Sequence, residues 1–168
     1  MPIKIPHNLP ARKILEKEGV QLIKDADAAR QDIRPLRIAL LNLMPLKAKT
    51  ETQIARVLAG SPIQIEMTLI APTNYVPKNT PREHMLDFYK PFSEIKDQKF
   101  DGLIITGAPI EKLDFNQVEY WQELGEIFDW ATNNVFSMFT LCWGAQAALN
   151  HYYDIPKHLL PEKRFGIF

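Results

Sequence analysis

Along this chain the apolar residues alternate between short continuous runs and stretches of helical spacing. The segment "LRIALLNL", residues 36–43, follows Pro35 and is apolar at nearly every position, as a strand covered on both faces should be. "KTETQIARVLAG", residues 49–60, places Ile54, Val57 and Leu58 on one helical face, with Thr50 as the expected cap and Gly60 as the stop. "IQIEMTLI", residues 63–70, alternates as a second strand. Residues 71–99 are rich in Pro, Asn, Lys and Asp and predict a connection holding one short helix from Pro81 to Tyr89. "FDGLIITGAP" is a third strand that turns at Gly107 before Pro109, and "QVEYWQELGEIFDWATNN" carries Val118, Trp121, Leu124, Ile127 and Phe128 at helical spacing. "VFSMFTL", residues 135–141, is a fourth strand, and "WGAQAALNHYY" a helix. Strand and helix units joined by short links predict an α/β fold with a doubly wound, mostly parallel sheet, because right-handed crossovers permit little else. No internal repeat or low-complexity tract interrupts the pattern.

A chain of 168 residues has the size of one domain. Lys+Arg and Asp+Glu both number 20, so no global field attracts nucleic acid or an anionic membrane, and neither is expected as a partner. No apolar run approaches the roughly 20 residues that span a bilayer, and the opening "MPIKIPHNLPARKILEKEG" lacks a signal peptide's apolar core, so a cytoplasmic location is expected. One cysteine allows no internal disulfide, and no Cys pair or HExxH pattern offers a metal site.

That cysteine, Cys142, falls at a strand's carboxyl end, at the turn into a helix. In open α/β sheets this edge is where ligands bind. Cys-Trp-Gly there is similar to a nucleophile elbow, in which a tight turn lifts the nucleophile above the sheet and a small residue lets helix and strand approach. The plainer alternative is a free cysteine filling core space. A second stretch, "LNLMPLKAKTETQ", puts Asn42, Lys47, Thr50, Glu51 and Gln53 just after the first strand, on the same edge. A solvated loop and an ordinary helix start account for Thr50 and Glu51, but less readily for Lys47. A lysine beside a thiolate can stabilise an oxyanion or orient an acyl group.

"MPIKIPHNLPA", "QDIRPLRIALLNLMPLKAKTETQ", "NTPREHMLDFY", "FDGLIITGAPIEKLDFNQVEYW" and "TLCWGAQAALNHYYDIPK" together resemble the homoserine O-acyltransferases of methionine biosynthesis, the homoserine transsuccinylase family. The likeness runs essentially end to end. It implies a fold similar to class I glutamine amidotransferases, which are flavodoxin-like. It also implies acyl transfer from acyl-coenzyme A, a co-substrate rather than a bound cofactor, to the hydroxyl of L-homoserine. On that likeness Cys142 matches the acyl-thioester nucleophile and the Trp143 backbone N–H an oxyanion donor, with Lys47 a possible second stabiliser. Lys163 matches a lysine that contacts substrate. Glu111 matches the position associated with the acyl donor, where glutamate accompanies acetyl and glycine succinyl transfer; this implies a homoserine O-acetyltransferase, with the succinyltransferase as the alternative. A homodimer is implied for the complete protein.

The family's catalytic histidine, its partner glutamate and a carboxylate-binding arginine have no counterpart here. His7, His84, His151 and His158 are expected in solvated or distant places. The chain is therefore expected to be the N-terminal portion of the enzyme, with residues 1–35 as an arm and 36–168 as the first part of the acyltransferase domain, and to be inactive alone. Amidotransferase and peptidase relatives share the elbow, but they normally carry glycine two residues before the cysteine, where this chain has Thr140. A non-catalytic interaction domain of the same fold is the remaining alternative.

Overall fold

The computed structural model describes residues 2–167 except Asn74, Val76, Lys78, Lys163 and Phe165. The apolar runs become parallel strands. β1 (Ile3–Lys4), β2 (Leu36–Leu41), β3 (Ile65–Ala71), β4 (Tyr89–Pro91), β5 (Phe100–Ile105) and β6 (Val135–Thr140) form one sheet. Its order is β1-β3-β2-β5-β6, with β4 also on β3. β1 meets β3 at Ile65 and Glu66 and β4 meets it at Leu69 to Ala71, so the two short strands share one edge of β3. Every pairing is parallel. Counting only β2, β3, β5 and β6, the order is second-first-third-fourth, the flavodoxin-like arrangement, and the order reverses at β2.

Both faces of the central strands β2, β3 and β5 are covered, which explains their near-continuous apolar runs. Ala39 and Leu41 of β2, with Leu103 and Ile105 of β5, pack against α5 (Trp121–Asn134) and α6 (Trp143–Tyr153). Leu40, Met67 and Leu69 face the other way, toward α1 (Ala11–Lys17) and α3 (Lys47–Leu58), between which the chain makes the single-turn helix α2 (Asp25–Ala28). On α5 the buried set Leu124, Ile127, Phe128 and Ala131 keeps one helical stripe inward. Each fully buried Leu, Ile or Phe of these layers contributes about 1.5–3 kcal/mol.

The arm adds to the second layer: Ile3, Ile5, Leu9, Ala11 and Leu15 are all buried against the sheet. α4 (Arg82–Phe88) lies where the short helix was expected. α3 departs from expectation. It starts at Lys47 rather than at a Thr50 cap, and the Thr50 hydroxyl, inside the helix, donates to the Leu46 carbonyl. β6 pairs only with β5 among the described residues, and on this edge strand Phe136 is 93% and Phe139 60% exposed. No helix of the described residues is long and apolar enough to cross a membrane.

Candidate active site

Parallel pairing of β2, β5 and β6 brings their carboxyl ends side by side. At the end of β6 the Gly144 N–H donates to the Leu141 carbonyl at 2.9 Å, closing a turn whose first inner residue is Cys142. Cys142 has φ 52° and ψ −120°, the backbone of the first inner position in a type II′ turn, which glycine favours. A side chain held there stores about 1–3 kcal/mol of strain, and such strain gathers at functional positions. Asp154, the other described non-glycine residue with positive φ, sits in the common left-handed cap after α6. Cys142 is exposed, and the Ala145 and Gln146 N–H groups donate to its carbonyl as α6 begins. The turn thus puts a thiol above the sheet at a helix N-terminus.

Two glycines make room for it. A Cβ on Gly144 would stand 2.6 Å from the Thr106 carbonyl oxygen and 3.2 Å from that of Ile105. α6 can enter this close to β5 only because that position carries no side chain. A Cβ on Gly107 would lie 3.0 Å from the Cβ of Cys142, so the loop leaving β5 starts against the nucleophile. The Trp143 and Gly107 backbone N–H groups have no protein acceptor among the described residues. The Trp143 ring is buried beneath the elbow with Tyr120 at 6.3 Å and Phe115 at 6.1 Å.

Thr106, buried at the end of β5, ties the loops together. Its hydroxyl accepts the Leu43 N–H at 2.8 Å and donates to the Gly107 carbonyl at 3.1 Å. It thereby couples the β2–α3 connection to the residue that touches Cys142. In the sequence the one sign of this tie is a hydroxyl residue placed between the apolar run of β5 and the Gly107 turn.

The polar residues after β2 are not a solvated loop. Lys47 is 2% exposed; its ammonium donates to the Asn42 and Met44 carbonyls and stands 5.4 Å over the Tyr89 ring. Burial lowers its pKa to about 8, against an opposing pull from the Glu51 carboxylate. Glu51 is fully buried, which corrects its reading as part of a solvated helix start. One of its oxygens accepts the Tyr89 hydroxyl at 2.6 Å and faces the His84 Nε2 at 2.9 Å. His84 is therefore mostly buried rather than solvated. The Asn42 amide donates to the Tyr89 oxygen at 2.9 Å, and burial with the adjacent Glu51 raises the Tyr89 pKa. Tyr89 and His84 reach the cluster from β4 and α4, too far along the chain for periodicity to foresee.

Glu111 is exposed on the loop that leaves β5 and makes no ion pair among the described residues. Lys163 lies outside the described residues. His151 pairs with Asp129 at 2.8 Å, and no hydrogen bond joins any described histidine to Cys142.

A family model described as homoserine O-succinyltransferase matches residues 2–168. The chain belongs to the homoserine O-succinyltransferase family. Within it, a homoserine O-acetyltransferase of Rhizorhabdus wittichii is 58% identical over 168 residues, covering 100% of this chain and 53% of that protein. Those of Acetivibrio thermocellus and Ruegeria pomeroyi are 56% and 58% identical, again over 100% of this chain, and over 55% and 54% of their own lengths. The chain thus spans about half the length of these homoserine O-succinyltransferase family members. The doubly wound parallel sheet expected from the sequence is the one observed.

Proposed function

We propose that this chain carries the nucleophile half of a homoserine O-acetyltransferase, an enzyme that moves an acetyl group from acetyl-coenzyme A to the hydroxyl of L-homoserine. The observation that carries this reading is the exposed Cys142 held at φ 52° in a II′-type turn on the functional edge of the sheet. In the first half-reaction the Cys142 sulfur attacks the thioester carbonyl, a new carbon–sulfur bond forms, and the coenzyme leaves as its thiolate. The oxyanion formed on the way meets the free Trp143 N–H, with the Gly107 N–H as a second donor from the loop against Cys142. In the second half-reaction the homoserine oxygen attacks the acyl-cysteine, its proton passes to a base, and the cysteine sulfur is released. Splitting one displacement into two is covalent catalysis and gives ping-pong kinetics.

Lys47 serves this chemistry through its place rather than by direct contact. Its donors are directed at the Asn42 and Met44 carbonyls, so it braces the β2–α3 connection and adds positive potential at the same edge. The route needs no metal or prosthetic group; both substrates are small molecules. The second half-reaction calls for a base, and no hydrogen bond joins any described histidine to Cys142; the homodimer is part of the same reading.

The family description names succinyl transfer, whereas the three relatives are named for acetyl transfer. Glu111 favours acetyl: a succinyl group ends in a carboxylate, and two like charges at about 4 Å repel by about 4 kcal/mol at an effective dielectric of 20. Measuring kcat/KM for the two donors with the full-length protein is the test. Wild type is expected to favour acetyl-coenzyme A, and Glu111→Gly to raise activity with succinyl-coenzyme A while lowering it with acetyl-coenzyme A. A wild-type preference for succinyl-coenzyme A would overturn the assignment.

A further inference from the structure

Asp154, in the left-handed conformation, ends α6 and turns the chain, and the residues that follow bring Lys157 to the loop that carries Glu111. The Lys157 ammonium donates to the Glu111 carbonyl at 2.8 Å and to the Leu113 carbonyl, and stands 5.2 Å over the Phe115 ring. One cation therefore holds three residues of a five-residue stretch from a segment more than 40 positions away. The loop's own bonds leave this job open. Ile110 N–H to Ala108 carbonyl and Leu113 N–H to Ile110 carbonyl shape its start, and the Asp114 and Gln117 capping box closes its end. None of them holds the Glu111 peptide oxygen. Phe115 in turn stacks on Trp121 at 4.7 Å and leans on Trp143, the residue after Cys142, at 6.1 Å.

The choice of atoms matters. Lys157 bonds the carbonyl of Glu111 and makes no ion pair with its carboxylate. The backbone is fixed while the side-chain carboxylate is left without an ion-pair partner among the described residues.

We propose that Lys157 is a positioning residue for acyl-donor selection: by clamping the Glu111 and Leu113 carbonyls it holds the Glu111 carboxylate where it repels a donor that ends in a carboxylate. This rests on the reading of Glu111 given above. If release of the clamp lets the two carboxylates move from about 4 Å to about 8 Å apart, the repulsion halves, and a discrimination of several hundredfold falls to about thirtyfold.

The test compares wild type, Lys157→Met, Lys157→Arg and Glu111→Gly in the full-length protein, with acetyl- and succinyl-coenzyme A as donors and hydrogen exchange followed by mass spectrometry. Lys157→Met keeps the stem over Phe115 and removes the donors. Its ratio of kcat/KM for acetyl over succinyl is expected to fall about tenfold or more, with kcat for acetyl-coenzyme A retained. Exchange at residues 111–115 should quicken while strand amides keep their protection. Lys157→Arg, which can donate to both carbonyls, should restore the ratio. If Glu111→Gly shifts the ratio but Lys157→Met does not, or if Lys157→Arg falls as far as Lys157→Met, the clamp proposal alone is wrong. If Glu111→Gly also leaves the ratio unchanged, the donor reading fails and this proposal fails with it.

Discussion

Exchanging Lys47 for methionine keeps most of the stem's volume and removes the ammonium, which makes the burial of that charge measurable. In the folded chain burial lowers the Lys47 pKa from 10.5 to about 8. Below about pH 8 both states hold the proton, and the folded protein carries the full penalty of a buried cation. Between about 8 and 10.5 the unfolded chain holds a proton that the folded one has lost, so stability attributable to this group rises with pH. The shift, 10.5 minus 8, is 2.5 units. At about 1.4 kcal/mol per unit the whole window is worth about 3 kcal/mol. Integrated only from about pH 7 to about pH 9.5, the linkage is about 2 kcal/mol. Tyr89, Glu51 and His84 are present in both proteins, so the comparison removes them. Urea unfolding of wild type and Lys47→Met at the two pH values gives the difference directly. Wild type should gain about 2 kcal/mol relative to the variant on going to the higher pH. Parallel changes in the two proteins, or a gain by the variant, would mean that Lys47 is not a buried, depressed lysine.

Gly144→Ala is expected to destabilise by about 1–3 kcal/mol despite alanine's better helix propensity, because the new methyl meets backbone oxygen and α6 must move off β5; chemical denaturation checks the sign, and acyl transfer should fall with it. Thr106→Val removes the hydroxyl that joins Leu43 to Gly107 and leaves the Leu43 N–H unpaired, at about 1–3 kcal/mol, whereas Thr106→Ser should recover most of the loss in the same melt.

The sheet was legible in the residues because β2 and β5 are covered on both faces, and two-sided burial writes itself as an unbroken apolar run; β6 was legible instead from its apolar run and the abrupt turn that ends it. The elbow was legible as a strand-to-helix turn from a cysteine followed by Trp-Gly at a strand's end, but a free cysteine filling core space fitted the same residues, and it is the φ of 52° with the thiol exposed that separates the two. β1 and β4, with two and three residues, are too short to leave a period. The buried cluster was opaque. Lys47 and Glu51 are charged, and charged residues at a helix start ordinarily face water. What turns them inward is Tyr89, 38 positions from Glu51, and His84, 33 positions away, contacts that exist only once β4 and α4 lie beside β2 and β3. Glu111 drew attention through family likeness alone, and nothing in the spacing of Lys157 announced that it would meet the same loop.

The central claim is that Cys142 becomes the acyl carrier. Incubating the full-length protein with acetyl-coenzyme A in the absence of homoserine, and then mapping peptides by mass spectrometry under acidic conditions, tests it most directly. The account predicts one added acetyl group, on the peptide containing Cys142, discharged when homoserine is added and absent from Cys142→Ala. Turnover with no acetyl group on Cys142, or turnover retained by Cys142→Ala, would contradict it.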